Sequence, residues 1–156
     1  MSALGQILRN ALRNPGATAA VDDQRTYSYI ALAGGAFFLA NKIERTTANR
    51  HVGILLPTSG AFALALMGTW LAKRVAAPLN YLLSHDELAY VINDSEIDTI
   101  VTVDRILDFL KLHDAIPPSV KLLKLDDCDF DGMPPLRWPP RLGSGELAVL
   151  LYTSGT

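Results

Sequence analysis

His51-Val52-Gly53-Ile54-Leu55-Leu56 is the stretch on which the fold turns. From Val52 it is apolar without interruption, so neither face of a strand built from it is suited to water. Such strands belong to parallel sheets covered on both sides. Pro57-Thr58-Ser59-Gly60 breaks the run, and an apolar helical stretch follows to about Ala72. Val75 to Leu79 reads as a second short strand. Ser84-His85-Asp86-Glu87 has the form of a capping box, in which hydroxyl and carboxylate satisfy N–H groups of the first turn. It opens a helix that turns Leu88, Val91 and Ile92 inward. Asp98 to Val103 is β-branched and predicts a strand. Asp104 is the expected cap of a helix through about His113, and Val120 to Leu125 is the next strand candidate. Leu147 to Tyr152, wholly apolar, is the last. This alternation predicts an α/β fold, a mostly parallel sheet with flanking helices.

Upstream, Leu4, Ile7, Leu8, Ala11 and Leu12 recur at helical spacing until Pro15-Gly16. Thr18 to Val21 and Arg25 to Tyr27, separated by Asp22-Asp23-Gln24, read as a hairpin. Ser28 is the natural N-cap of a helix to about Arg45, with Ile30, Ala33, Phe37, Ala40 and Ile43 on its core face. The chain thus divides into N-terminal helices and hairpin (1–50), βα repeats (51–125), an irregular loop (126–146), and a strand with the start of a further loop (147–156). All four are read as parts of one partial domain.

The 156 residues are 49% hydrophobic and 19% charged, with a net charge of −2. Disordered, collagen-like and disulfide-stapled chains are excluded by that balance. A pI near 5.9 removes the footprint of a nucleic-acid binder. Ala61 to Ala72 would rise only ~18 Å as a helix, short of the ~30 Å of a bilayer core. No membrane span is expected. The single cysteine, Cys128, asks for no oxidising compartment, and the first residues lack a secretory pattern. The expected location is cytoplasmic.

Candidate chemistry concentrates at Tyr152-Thr153-Ser154-Gly155-Thr156. An apolar strand runs into small, hydroxyl-bearing residues whose N–H and O–H groups can converge on phosphate oxygens. Pro57-Thr58-Ser59-Gly60 is an internal control, because there helix capping alone explains the composition. Asp127-Cys128-Asp129-Phe130-Asp131-Gly132 matches half a calcium loop, but the twelfth position is Trp138 where a bidentate Glu is needed. A solvated acidic loop is the simpler reading. His51, His85 and His113 have no ligand partners at metal spacing. Ser59 and Ser154 lack the Gly-x-Ser-x-Gly elbow. Cys128 has acidic sequence neighbours, which disfavour a thiolate. No metal ligand and no catalytic residue is assigned.

Leu147-Ala148-Val149-Leu150-Leu151-Tyr152-Thr153-Ser154-Gly155-Thr156 resembles the opening of the signature loop of the adenylate-forming, AMP-binding superfamily. That superfamily includes acyl-CoA synthetases, nonribosomal peptide adenylation domains and luciferases. Thr26-Tyr27, Val52 to Ser59, Pro78-Leu79-Asn80, Glu87 to Ile92 and Asp94-Ser95 resemble further family stretches in the family's order, from Thr26 to Thr156. One departure is Ala72-Lys73, where the family has Ala-Gly.

The resemblance implies the N-terminal part of the large domain of an acyl-CoA or acyl-carrier-protein synthetase. The complete enzyme would join a carboxylic acid to ATP, with Mg2+, and pass the acyl group from AMP to CoA or an acyl-carrier protein. Thr153, Ser154, Gly155 and Thr156 are then the nucleotide-contacting residues. The loop's lysine, the magnesium-holding Glu, the ribose-holding Asp and the catalytic Lys fall on no residue of this sequence. The 156 residues alone are therefore expected to lack synthetase activity and to bind none of these ligands tightly. Pro78 to Ser84 is similar to fatty-acyl synthetases. The rival expectation is a small stand-alone α/β module that binds a nucleotide or a protein without catalysis.

Overall fold

The computed structural model describes residues 3–111, 116–135, 140 and 145–153. Helix α1 spans Ala3–Arg13. Strands β1 (Thr18–Val21) and β2 (Thr26–Ser28) form the expected antiparallel hairpin. Ser28 caps α2 (Tyr29–Thr46) by accepting the Ala31 N–H. Then come β3 (His51–Ile54), α3 (Gly60–Leu71), β4 (Val75–Pro78), α4 (His85–Asp94), β5 (Thr99–Thr102), α5 (Asp104–Phe109) and β6 (Lys121–Lys124).

Four strands make one parallel sheet in the order β4-β3-β5-β6. Period-two alternation divides its side chains between two cores. Val52, Ile54, Ala76, Val101 and Leu123 face α2 and α3, while Ala77, Ile100 and Leu122 meet Leu88, Val91, Ile92 and Leu107 of α4 and α5. Leu39, Ile43, Ile54, Met67, Leu88 and Ile100 are fully buried, each worth about 1.5–3 kcal/mol of transfer free energy. The sheet sandwiched between helices is the fold that the alternation predicted, and β3 lost water from both faces as its composition requires.

Helices α2 and α3 approach closely because small residues face large ones. A Cβ at Gly35 would stand 2.6 Å from Leu64 Cδ1, and one at Gly68 3.0 Å from Leu39. Helix α3 ends in a Schellman arrangement, with Lys73 N–H on Trp70 O and Arg74 N–H on Thr69 O, both 3.0 Å. Lys73 accordingly takes φ 58°, the left-handed conformation in which glycine is the usual residue. Glu96 and Lys111 repeat this after α4 and α5, at φ 54° and 51°.

Three expectations need correction. Asp104 is the first residue of α5 and not its cap: Val103 occupies the cap position with no side-chain bond. The Asp104 carboxylate instead pairs with Lys124 at 2.6 Å, and Asp126 Oδ2 accepts the Asp104 N–H at 2.7 Å. A helix reaching His113 is not seen either, since α5 ends at Phe109; His113 itself lies outside the described residues. Ile30 is 55% exposed, whereas Ala33, Phe37, Ala40 and Ile43 of the same stripe are buried. Ile30 belongs to the first turn of α2 and lines an open groove of about 430 Å³ with Tyr27, Phe38 and Phe130.

Candidate functional site

The segment Leu147 to Thr153 adds to the sheet on the free side of β4. Only Val149 makes a bridge, parallel to Ala76, so the expected strand from Leu147 to Tyr152 is reduced to one point of pairing. Ala76 N–H donates to Ala148 O at 3.1 Å, and Leu150 N–H donates to Ala76 O at 2.8 Å. The Trp70 indole N–H adds a third bond to Ala148 O, 2.9 Å. The segment is pinned only around Val149 and Leu150, and on either side of them Leu147 is 46% and Leu151 66% exposed.

Beyond that bridge, Tyr152 packs its ring against the core beneath α4, and its hydroxyl donates to Asp94 Oδ2 at 2.6 Å. The bond raises the tyrosine pKa, because losing the proton would set an oxyanion against a carboxylate. Thr153 follows, exposed. Ser154, Gly155 and Thr156 lie outside the described residues. Of the four predicted nucleotide contacts, Thr153 alone therefore has a described position.

The internal control behaves as a helix cap. Ser59 Oγ accepts the Phe62 N–H and donates to Pro57 O, at 3.3 and 3.1 Å. The start of α3 is also taken by the chain's own anion: Asp22 Oδ2 accepts the Gly60 N–H at 2.9 Å. Asp22 Oδ1 accepts the N–H groups of Arg25 and Gln24, at 2.9 and 3.0 Å. The bonds from Arg25, Gly60 and Gln24 hold the Asp22 carboxyl below the ordinary aspartate range. A phosphate has no need to compete for that helix end, and the hydroxyls there serve structure.

The acidic loop gathers no cage. Asp129 Oδ1 accepts the Asp131 N–H at 2.9 Å, Asp127 gives its carbonyl to Lys42, and Phe130 meets Phe38 edge to face. Among the described residues, no three His, Cys, Asp or Glu side chains converge where a metal could sit. The side chains described therefore do not fit a magnesium site. His51 Nδ1 is bonded to Ser95 O at 2.8 Å, a structural role.

The cysteine has a neighbour that sequence proximity did not reveal. Lys42 Nζ stands 3.5 Å from Cys128 Sγ, 86 positions apart in sequence. Burial nevertheless dominates and pushes the thiol pKa up, with Lys42 opposing. Lys42 and Trp70 carried no motif of their own, and Asp22 and Asp94 were read only as part of a turn and of a family-like stretch; each matters through a partner brought close by folding.

The AMP-binding enzyme family matches residues 7–156. Indigoidine synthase of Dickeya dadantii is 28% identical over 97% of this chain, which spans 10% of its length. A probable CoA ligase of Humulus lupulus, CCL8, is 28% identical over 68% of the chain and 20% of its own length. The AMPPNP-bound form of the nonribosomal peptide synthetase FmoA3 superposes with a TM-score of 0.83, at 22% identity, over 97% of this chain and 16% of that one. The chain therefore spans a small part of the relatives that it matches. Among the described residues, no helix is long and apolar enough to cross a membrane.

Proposed function

The chain belongs to the AMP-binding enzyme family, and on that premise we propose that it is the N-terminal part of the nucleotide-binding domain of an ATP-dependent acid–thiol ligase. The reaction joins a carboxylate to the α-phosphorus of ATP, expelling pyrophosphate, and a thiol then displaces AMP to leave a thioester. A carboxylate is a poor electrophile, and the mixed anhydride gives it a good leaving group. In this reading Thr153, Ser154, Gly155 and Thr156 begin the phosphate cradle with backbone and hydroxyl donors. ATP and magnesium, and CoA or an acyl-carrier protein, are bound with the help of residues beyond this sequence.

The observation that carries the reading is the family match running through Thr156, over a stretch whose apolar part bridges the sheet at Val149. Within the family, Pro78-Leu79-Asn80-Tyr81-Leu82-Leu83-Ser84 favours a fatty acid as the substrate. A named CoA ligase among the relatives supports thioester formation, while the similarity to a peptide synthetase keeps amino acids among the acids to be tried. The test is ATP–pyrophosphate exchange by the complete protein carrying this chain, with panels of fatty acids and amino acids. Exchange stimulated by fatty acids is the expected result. Stimulation by amino acids alone would move the substrate class, and no exchange with any acid would overturn the proposal. The 156 residues by themselves should give no exchange.

A further inference from the structure

Asp94 is placed where helix physics disfavours it. It is the last residue of α4, a helix with no basic residue in its final turn. A carboxylate there faces the negative end of the helix dipole. Its described partner is the Tyr152 hydroxyl, 2.6 Å away and 58 positions later in sequence.

Tyr152 stands between the last sheet bond of its segment, Leu150 N–H to Ala76 O at 2.8 Å, and Thr153. Two residues, Leu151 and Tyr152, separate that bond from Thr153, and the hydroxyl of Tyr152 is the polar anchor described between them. Its ring packs on the apolar side against the core below α4, so core contact and hydrogen bond hold the ring from two sides. A charge-assisted bond of this kind is stronger than a neutral one.

We propose that Asp94 and Tyr152 are positioning residues for ATP: their hydrogen bond sets the point from which the phosphate-binding turn departs. The inference rests on the function proposed above. Neither residue touches the nucleotide. Donors that must meet phosphate oxygens at about 2.7–3.2 Å tolerate little displacement of the segment that carries them.

The experiment is ATP–pyrophosphate exchange by the complete protein, with Tyr152→Phe, Asp94→Ala and Asp94→Asn compared at matched folding by thermal melting. Tyr152→Phe and Asp94→Ala should each raise KM for ATP about tenfold, leaving KM for the acid unchanged. Asp94→Asn, which keeps an acceptor, should recover most of the affinity. The Tyr152→Phe/Asp94→Ala pair should be no worse than either change alone. An unsubstituted enzyme that exchanges normally, with KM for ATP unmoved in both single variants, overturns the tether and leaves the parent function standing. An equal rise in the KM for the acid would mark general loosening and also overturn it. An unsubstituted protein that gives no exchange removes the parent function and this inference together.

Discussion

The carboxylate of Asp22 accepts the backbone N–H of Gly60 at 2.9 Å, so the hairpin turn supplies the anion at the start of α3. The bond links two elements that are 38 positions apart in sequence. It also explains why the first hydroxyl-rich turn, Pro57 to Gly60, is a structural cap.

Asp22 makes stability depend on acid. Its pKa is lowered by backbone N–H donors, so its contribution is present above the unfolded aspartate value of about 3.9. It is lost as pH falls through the depressed folded value. Urea midpoints of the parent and of Asp22→Asn should differ at pH 7 and draw together toward about pH 2. A gap that stays constant over that range would contradict the assignment.

Gly60 is fixed by contact. An added Cβ would stand 2.0 Å from Tyr27 Cε2, and Tyr27 is buried at 7% exposure. Gly60→Ala should therefore cost about 1–3 kcal/mol in chemical denaturation, and Tyr27→Leu in the same chain should restore part of it. Gly34→Ala supplies the contrast, because nothing lies within 4 Å of its Cβ position. That change should stabilise α2 by about 0.5–1 kcal/mol.

Lys73 is held at φ 58° by the Schellman bonds at the end of α3. Lys73→Gly should stabilise the chain by about 1 kcal/mol, read as a higher urea midpoint at unchanged slope. No gain would mean that the lysine side chain offsets its backbone strain.

Cys128 is predicted to be a slow nucleophile. Burial raises its pKa, and Lys42 counters only in part. Alkylation by iodoacetamide at pH 7.5 should run slower in the folded chain than in urea, and Lys42→Met should not speed it. Faster reaction in the folded state would show a thiolate stabilised by the lysine.

Much of the architecture was legible because it follows from local rules. Ser28, Ser59 and Ser84 cap helices as their positions imply, and Glu87 closes the capping box on Ser84 at 2.9 Å. The strands β3, β4 and β5 follow from short apolar or β-branched runs between turns. Asp104 misled because Lys124, twenty positions later in sequence, competes for its carboxylate. Ile30 misled because helical spacing identifies a stripe without showing that its first turn borders an open groove.

From its residues alone, this protein was committed to an α/β alternation, to the starts of α2, α3 and α4 and to a likeness with AMP-binding enzymes, since periodicity, capping and signature order are written along the chain. Folding decided the rest. The placement of Val149 beside Ala76, Asp22 at the start of α3, Lys42 beside Cys128, and Tyr152 on Asp94 depends on which elements become neighbours. Hydrogen bonds and charges act over a few ångströms of space, so partners tens of residues apart acquire their roles only when the sheet and helices have packed.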